Sequence, residues 1–204
     1  MGDVRRVVVS LVAGLALLAA GCSRGDDPTV TSGSTIPGSS LGTAATVPPD
    51  TTLGGRPPIV APPVAERAHL TDVRVGARSG GDRLVFQFDP VTPGYQIDFL
   101  TRPVTEDGSG AEVAVEGAAV LQVRLENAAT ARFEGEKVIL TYNGPKRIEG
   151  NGTSVVTEAV LIGDFEGVVS WAVGLKVRPE TLNVSALASP SRLVVDIPAT
   201  GAAS

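Results

Sequence analysis

The chain contains two carboxylates, Asp164 and Glu166, whose spacing could support chemistry. On a β-strand, residues two positions apart point to the same side, about 7 Å from each other. Paired carboxylates at such a distance could serve glycoside hydrolysis. Gly163 and Gly167 flank the pair, however, and glycines around polar residues are typical of a turn. We therefore interpret the pair as part of a solvated, acidic loop.

Other catalytic sites would need residue types that the chain holds only once. His69 is the single histidine and Cys22 the single cysteine. A zinc site needs a cluster of such ligands, and a Ser-His-Asp triad would have to use His69 without a nucleophile-elbow motif. The dense oxygen-ligand pattern of a calcium loop is also missing around Asp164. The sequence therefore predicts a protein that is not an enzyme and has no metal and no cofactor.

A ligand-binding surface is the more plausible role for the polar residues near the C-terminus. In SRLVVDI, Arg192 and Asp196 fall on one face of a predicted strand, where a cross-strand ion pair or a polar-face position would explain them without a ligand. As a binding hypothesis, the candidate surface combines this polar face with Asp164, Phe165 and Glu166. Aromatic faces and carboxylates together suit sugar hydroxyls.

The N-terminal residues 1–21 have the pattern of an export signal. Arg5 and Arg6 precede an apolar run over residues 7–20, which is shorter than the roughly 20 residues of a transmembrane helix. The sequence AAGC ending at Cys22 resembles a bacterial lipobox, in which the cysteine sulfur receives a diacylglycerol group. Two acyl chains would make a nearly permanent anchor. We expect a lipid-anchored protein on the extracytoplasmic face of the cell membrane, the alternatives being a free exposed thiol or a buried cysteine.

Residues 22–67 have the composition of a disordered linker. Residues 23–67 hold eight of the fifteen prolines, with many Thr, Ser and Gly, and none of the eight aromatic residues. Such a segment cannot bury enough apolar surface to offset the entropy of ordering it. The formal net charge of −5, near −6 without residues 1–21, argues against nucleic acid as a partner and against non-specific attraction to anionic wall polymers.

The region from residue 68 to residue 198 has the pattern of an all-β domain, followed by a tail at 199–204. In RLVFQFD, Leu84, Phe86 and Phe88 fall on one face of a strand and Arg83, Val85, Gln87 and Asp89 on the other, and SGGD at 79–82 predicts a hairpin with the preceding strand. Further strands are predicted at YQIDFL, EVAVEG, VLQVRL, KVILTY, VVTEAVLI, GVVSWAVGL and RLVVDI. The composition of GAAVLQVRLENAATAR also permits a helix, although its alternation favours a strand. A two-sheet β-sandwich follows from this pattern.

The segment GVVSWAVGL differs from the other predicted strands. One face would carry Trp171 with Val and Leu, and the opposite face only small residues such as Ser170, Ala172 and Gly174. We expect Trp171 to fill the core of the sandwich. The small-residue face could lie under close packing or under a ligand.

Several motifs of the folded region, taken as a set, resemble the AMIN-like domain of actinobacterial envelope lipoproteins. They are VRVG at 73–76, DRLVFQF at 82–88, PGY at 93–95, DGSG at 107–110, GDFEGVVSWAVGL at 163–175 and SRLVVDI at 191–197. The resemblance implies a β-sandwich in the cell envelope, and peptidoglycan binding is the usual proposal for the related AMIN domain. We expect a non-catalytic module that binds peptidoglycan or another wall component. The alternative is a scaffold that holds an envelope protein, for example by an exposed sheet edge.

Overall fold

The computed structural model describes residues 57–199, which form thirteen β-strands and no helix. The strands are, in chain order, β1 (Ile59–Ala61), β2 (Ala68–Arg78), β3 (Gly81–Asp89), β4 (Gly94–Leu100), β5 (Ala119–Glu126), β6 (Ala128–Ala129), β7 (Ala131–Glu134), β8 (Lys137–Leu140), β9 (Arg147–Glu149), β10 (Val156–Phe165), β11 (Val168–Leu175), β12 (Asn183–Ala188) and β13 (Ser191–Pro198). Within this region there is consequently no helix that could span a membrane. The predicted signal peptide, Cys22 and the tail from residue 200 onward lie outside the described residues.

The strands form two sheets that pack face to face. One sheet has six strands in the order β1-β4-β5-β11-β10-β9, and the other has five in the order β12-β13-β3-β2-β6. Strands β7 and β8 form a separate two-stranded hairpin. The predicted all-β, two-sheet sandwich is therefore confirmed, and so is the hairpin of β2 and β3 around Ser79 and Gly80.

The main core lies between the two sheets, with Trp171 near its middle. Trp171 is fully buried, and its ring packs edge-on against Phe86 of the opposite sheet, with ring centroids 6.0 Å apart. Tyr142 packs against the same indole at 5.8 Å. Edge-to-face pairs of this kind add stability beyond the area they bury. The prediction that Trp171 fills the core is confirmed.

The small-residue face of β11 is covered by the chain itself. The segment between β4 and β5 folds over the outer side of the six-stranded sheet, where a second apolar cluster joins Val104 and Val115 to Ala172. A side chain at Gly174 would overlap the backbone carbonyl of Glu116. Close packing, rather than an open ligand surface, therefore explains the small residues of this face.

The predicted strand EVAVEG is wrong, because this segment lies on a sheet instead of within one. Only Glu112 makes a β-bridge, to Thr105. Val113 and Val115 alternate with exposed residues because the two valines pack on the sheet below them. The alternation that resembled a half-buried strand thus comes from a covering segment.

Residues 59–61, which the sequence assigned to the linker, form a strand, and residues 22–56 of the predicted linker lie outside the described part of the chain. Ile59–Ala61 forms β1, which pairs with β4 at the edge of the six-stranded sheet. Ile59 is buried, and its contact with the core compensates for ordering a short, proline-flanked strand. The proline-rich composition of the segment concealed this strand. The segment VLQVRL, for which a helix was also considered, is strand β5 as predicted.

Candidate functional site

The hairpin of β10 and β11 places the acidic residues at one end of the sandwich. Asp164 and Phe165 are the last two residues of β10, and Glu166 and Gly167 form the turn. Both turn residues have positive φ, 50° and 81°, as a two-residue type I′ turn requires. The predicted acidic loop therefore holds only for Glu166. Because Asp164 lies in the strand and Glu166 in the turn, the two carboxylates do not share a strand face.

Asp164 is held in place by the connection that follows β6. Its Oδ2 accepts hydrogen bonds from the backbone N–H of Thr130, at 3.2 Å, and from the Thr130 hydroxyl. Oδ1 accepts no hydrogen bond from the described residues and can accept one from a ligand. The strand end and the β6–β7 connection thus fix the position of this carboxylate.

The loop Glu106–Gly110 lies beside the end of β10 and forms a groove with it. The Asp107 N–H donates to the Ile162 carbonyl at 2.8 Å, and the Ser109 hydroxyl donates to Glu106 at 2.7 Å. The Asp107 side chain occupies the space above Gly163, so no side chain fits at that position. The close approach of loop and strand therefore depends on Gly163.

We call the groove between this loop and the strand end the hairpin-end groove. It is open, has a volume of about 600 Å³, and is lined by Glu106, Asp107, Gly108, Ser109, Lys146, Leu161, Gly163, Asp164 and Phe165. The Phe165 ring is 56% exposed and stands 3.8 Å from the Cβ position of Gly108. The sequence indicated Asp164 and Phe165, but the loop appeared there only as the motif DGSG. Its place beside Phe165 comes from long-range contacts that the sequence pattern does not show.

A second groove lies on the other side of Asp164. It is lined by Arg67, His69, Phe133 and Glu166, among others, and the Phe133 ring is 77% exposed. Nδ1 of His69 is buried without a hydrogen-bond partner within residues 57–199. Asp164 thus stands between two grooves, each with an exposed phenylalanine.

These grooves have the chemistry of a polar-ligand site. An aromatic face packs against the C–H groups of a sugar or peptide, and the carboxylates accept hydrogen bonds from hydroxyl or amide donors. Within the described residues, no group of three or more His, Cys, Asp or Glu could hold a metal ion. The exposed rings and the fixed carboxylates are suited to binding a polar ligand.

Arg192 and Asp196 lie elsewhere, on the outer face of the five-stranded sheet. Asp196 accepts hydrogen bonds from Nε and Nη2 of Arg83 at 2.6 and 2.8 Å, and it also pairs with Arg78. The bonds from Arg83 contribute most to lowering the pKa of Asp196, against the effect of burial, and those from Arg78 add to them. Arg192 instead donates to the carbonyl of Pro190 at 3.4 Å. A cross-strand ion pair thus accounts for Asp196, as the sequence suggested.

The structure does not bring the five candidate residues into one surface. Asp196 is adjacent to Ile197, which pairs with Asp82, and the Asp82 carboxylate binds the N–H of Val156. Val156 begins β10, and Asp164 lies eight residues further along that strand, roughly 26 Å away at about 3.3 Å per residue. Asp164 and Asp196 therefore lie at opposite ends of different sheets, whereas Arg192 lies at the start of β13, opposite Gln87 on the five-stranded sheet.

The fold and grooves define a binding domain of the β-sandwich class. Residues 68–199 match the family model of the AMIN-like domain, and the chain belongs to this family. AMIN-like domains are binding domains associated with the cell envelope and its peptidoglycan. Comparison with curated proteins and with solved structures gives no significant match.

Proposed function

We propose that this chain is a lipid-anchored binding module of an actinobacterial cell envelope that recognises peptidoglycan at the hairpin-end groove and performs no catalysis. Lipid attachment at Cys22 would hold the domain at the outer face of the cell membrane, with the residues after Cys22 as a spacer. The family of the domain and the lipobox-like sequence around Cys22 support this location.

The observation that carries the proposal is the exposed ring of Phe165 beside fixed carboxylates. Packing of the Phe165 ring against a ligand would remove apolar area from water. The binding free energy gains roughly 25 cal/mol for each Å² of apolar area removed. Asp107 and Asp164 are positioned by backbone contacts before any ligand arrives. Such preorganisation reduces the entropy cost of binding.

Cosedimentation of the full chain with purified sacculi tests the proposal. We expect the wild-type chain to be retained and Phe165→Ala to lose about tenfold in affinity, because its stacking surface is gone. Leu187→Ala is the matched control, since Leu187 is also exposed but lies on β12 of the other sheet. Wild-type chain found entirely in the supernatant, or equal retention of Phe165→Ala, would contradict the proposal.

A second candidate function, a scaffold for an envelope protein, is favoured by the β7–β8 hairpin. Phe133 lies opposite Val138, and Leu140 lies two residues from Val138 on the same face. These three side chains are 77%, 58% and 59% exposed, which is unusual for neighbouring apolar residues. Crosslinking from Val138 in cells would support this function if it recovered one protein consistently and sacculi retained no chain.

A further inference from the structure

Four arginines from three strands lie on the outer face of the five-stranded sheet. Arg74 and Arg78 come from β2, Arg83 from β3 and Arg192 from β13. In the sequence they are scattered, so no basic run appears. Strand pairing brings them together, because Gly76 lies opposite Arg83 and Arg83 lies opposite Asp196.

Three of these arginines surround an open notch above Gly76. No atom lies within 4 Å of the position that a Cβ of Gly76 would take. The strand register puts Arg83 roughly 8 Å from both Arg74 and Arg78, and separates Arg74 from Arg78 by roughly 13 Å. Arg74, Arg78, Arg83 and Gly76, together with Val85, line the same shallow depression. We call this surface the arginine face.

The arginine face carries more positive than negative charge. Arg74 pairs with Asp72 at 2.7 Å, and Arg78 and Arg83 share Asp196. Asp89 at the end of β3 lies on the same face, so three carboxylates face the four arginines. Residues 57–199 as a whole have a formal net charge of −5. A locally basic surface on an acidic domain steers anions to that surface, which the net charge alone does not predict.

The guanidinium groups keep hydrogen-bond donors for a ligand. A guanidinium has five N–H donors. Arg83 uses Nε and Nη2 on Asp196, and Arg74 uses Nε on Asp72 and Nη2 on Gln87. The side chains of Arg74, Arg78 and Arg83 remain 59%, 42% and 47% exposed. The acidic partners thus orient the guanidinium groups and leave part of each one open.

We propose that the arginine face binds the carboxylates of an acidic peptide. The planar guanidinium fork matches a carboxylate, as the Arg83–Asp196 contact at 2.6 and 2.8 Å illustrates. In an extended peptide running along β2, two carboxylates four residues apart would be roughly 13 Å from each other, which is the distance that separates Arg74 from Arg78. The open space above Gly76 would admit the peptide backbone. This site is separate from the hairpin-end groove and is independent of the function proposed there.

Binding of a fluorescent pentaglutamate peptide, whose first and last side chains are four residues apart, to the full chain, followed by anisotropy at low salt, tests the proposal. We expect Arg74→Gln and Arg78→Gln each to weaken binding about threefold to fivefold, the range for an exposed charge pair. Lys137→Gln removes the same charge from the β7–β8 hairpin and should leave the affinity unchanged. Raising the salt from about 0.05 M to about 0.5 M should weaken binding through screening.

Three results would overturn the proposal: no binding of pentaglutamate, equal binding of pentaglutamine, or equal loss of affinity in Lys137→Gln. Thermal unfolding of each variant checks that the fold is retained. Since the assay contains no sacculi, its failure is distinguishable from a failure of peptidoglycan binding.

Discussion

Replacing Asp82 should destabilise the domain more than replacing any exposed carboxylate. Asp82 is the second residue of β3 and is fully buried. Its carboxylate accepts hydrogen bonds from the N–H groups of Ser154, Val155 and Val156, at 2.9, 2.6 and 2.8 Å, and from the Ser154 hydroxyl at 3.1 Å. These bonds connect the five-stranded sheet to the start of β10 in the six-stranded sheet.

The size of the effect follows from the donors that Asp82→Ala would leave without a partner. Each buried donor that loses its partner costs about 1–3 kcal/mol. Water can reach part of this site, because Ser154 is exposed. We therefore expect Asp82→Ala to lower the free energy of unfolding by about 3–5 kcal/mol, which is less than the sum of the highest costs of the individual donors.

Urea unfolding of the full chain at pH 7, followed by Trp171 fluorescence, measures this loss. Asp72→Ala is the control, because Asp72 lies on the neighbouring strand and, among residues 57–199, forms an ion pair only with exposed Arg74. Its expected cost is at most about 1 kcal/mol. If Asp82→Ala costs no more than Asp72→Ala, the hydrogen bonds to Asp82 do not stabilise the domain.

The same carboxylate should make stability depend on pH. Burial raises the pKa of Asp82, but the hydrogen bonds from the three backbone N–H groups and the Ser154 hydroxyl outweigh it and leave the pKa below its usual value. Because its pKa is lower in the folded state, the ionised Asp82 stabilises the fold at every pH above the unfolded-state pKa of about 3.9. This stability is lost as the pH falls from there through the folded-state pKa. Asp82→Asn should reduce this loss of stability in acid.

Three further changes test other parts of the account. Glu166→Gly should raise the free energy of unfolding by about 0.5–1 kcal/mol, since a glycine adopts the left-handed turn conformation without strain; a lower urea midpoint would contradict this. Gly174→Val should prevent the segment between β4 and β5 from packing, because its Cβ would overlap the Glu116 carbonyl, and proteolysis should then cut that segment faster. Cys22→Ser should move the protein of its native host from the detergent phase to the aqueous phase; an unmodified protein already in the aqueous phase would contradict lipid anchoring.

The fold could be predicted from the sequence where a strand has one buried face. The alternation around Phe86 and the single tryptophan at 171 both report burial directly, so the sandwich and its core followed. The same rule failed for EVAVEG, because a segment that packs on a sheet also alternates. Strand β1 was not predicted either, because the proline-rich composition around its three residues is typical of a linker.

The candidate site could be predicted only in part, since its geometry depends on contacts between distant residues. The sequence indicated Phe165 and Asp164 as candidate ligand-binding residues, because an aromatic residue lies beside a carboxylate. The loop carrying Asp107 lies more than fifty residues earlier and reaches them through a hydrogen bond to Ile162. The arginine face was missed for the same reason, because its charges converge only through strand pairing.

Hydrogen exchange of the full chain with solubilised peptidoglycan fragments tests peptidoglycan recognition most directly. Bound fragments should slow amide exchange in the loop at residues 106–110 and at the strand end at residues 163–165. Slowed exchange confined to the β7–β8 hairpin, or unchanged exchange throughout residues 57–199, would contradict binding at the hairpin-end groove.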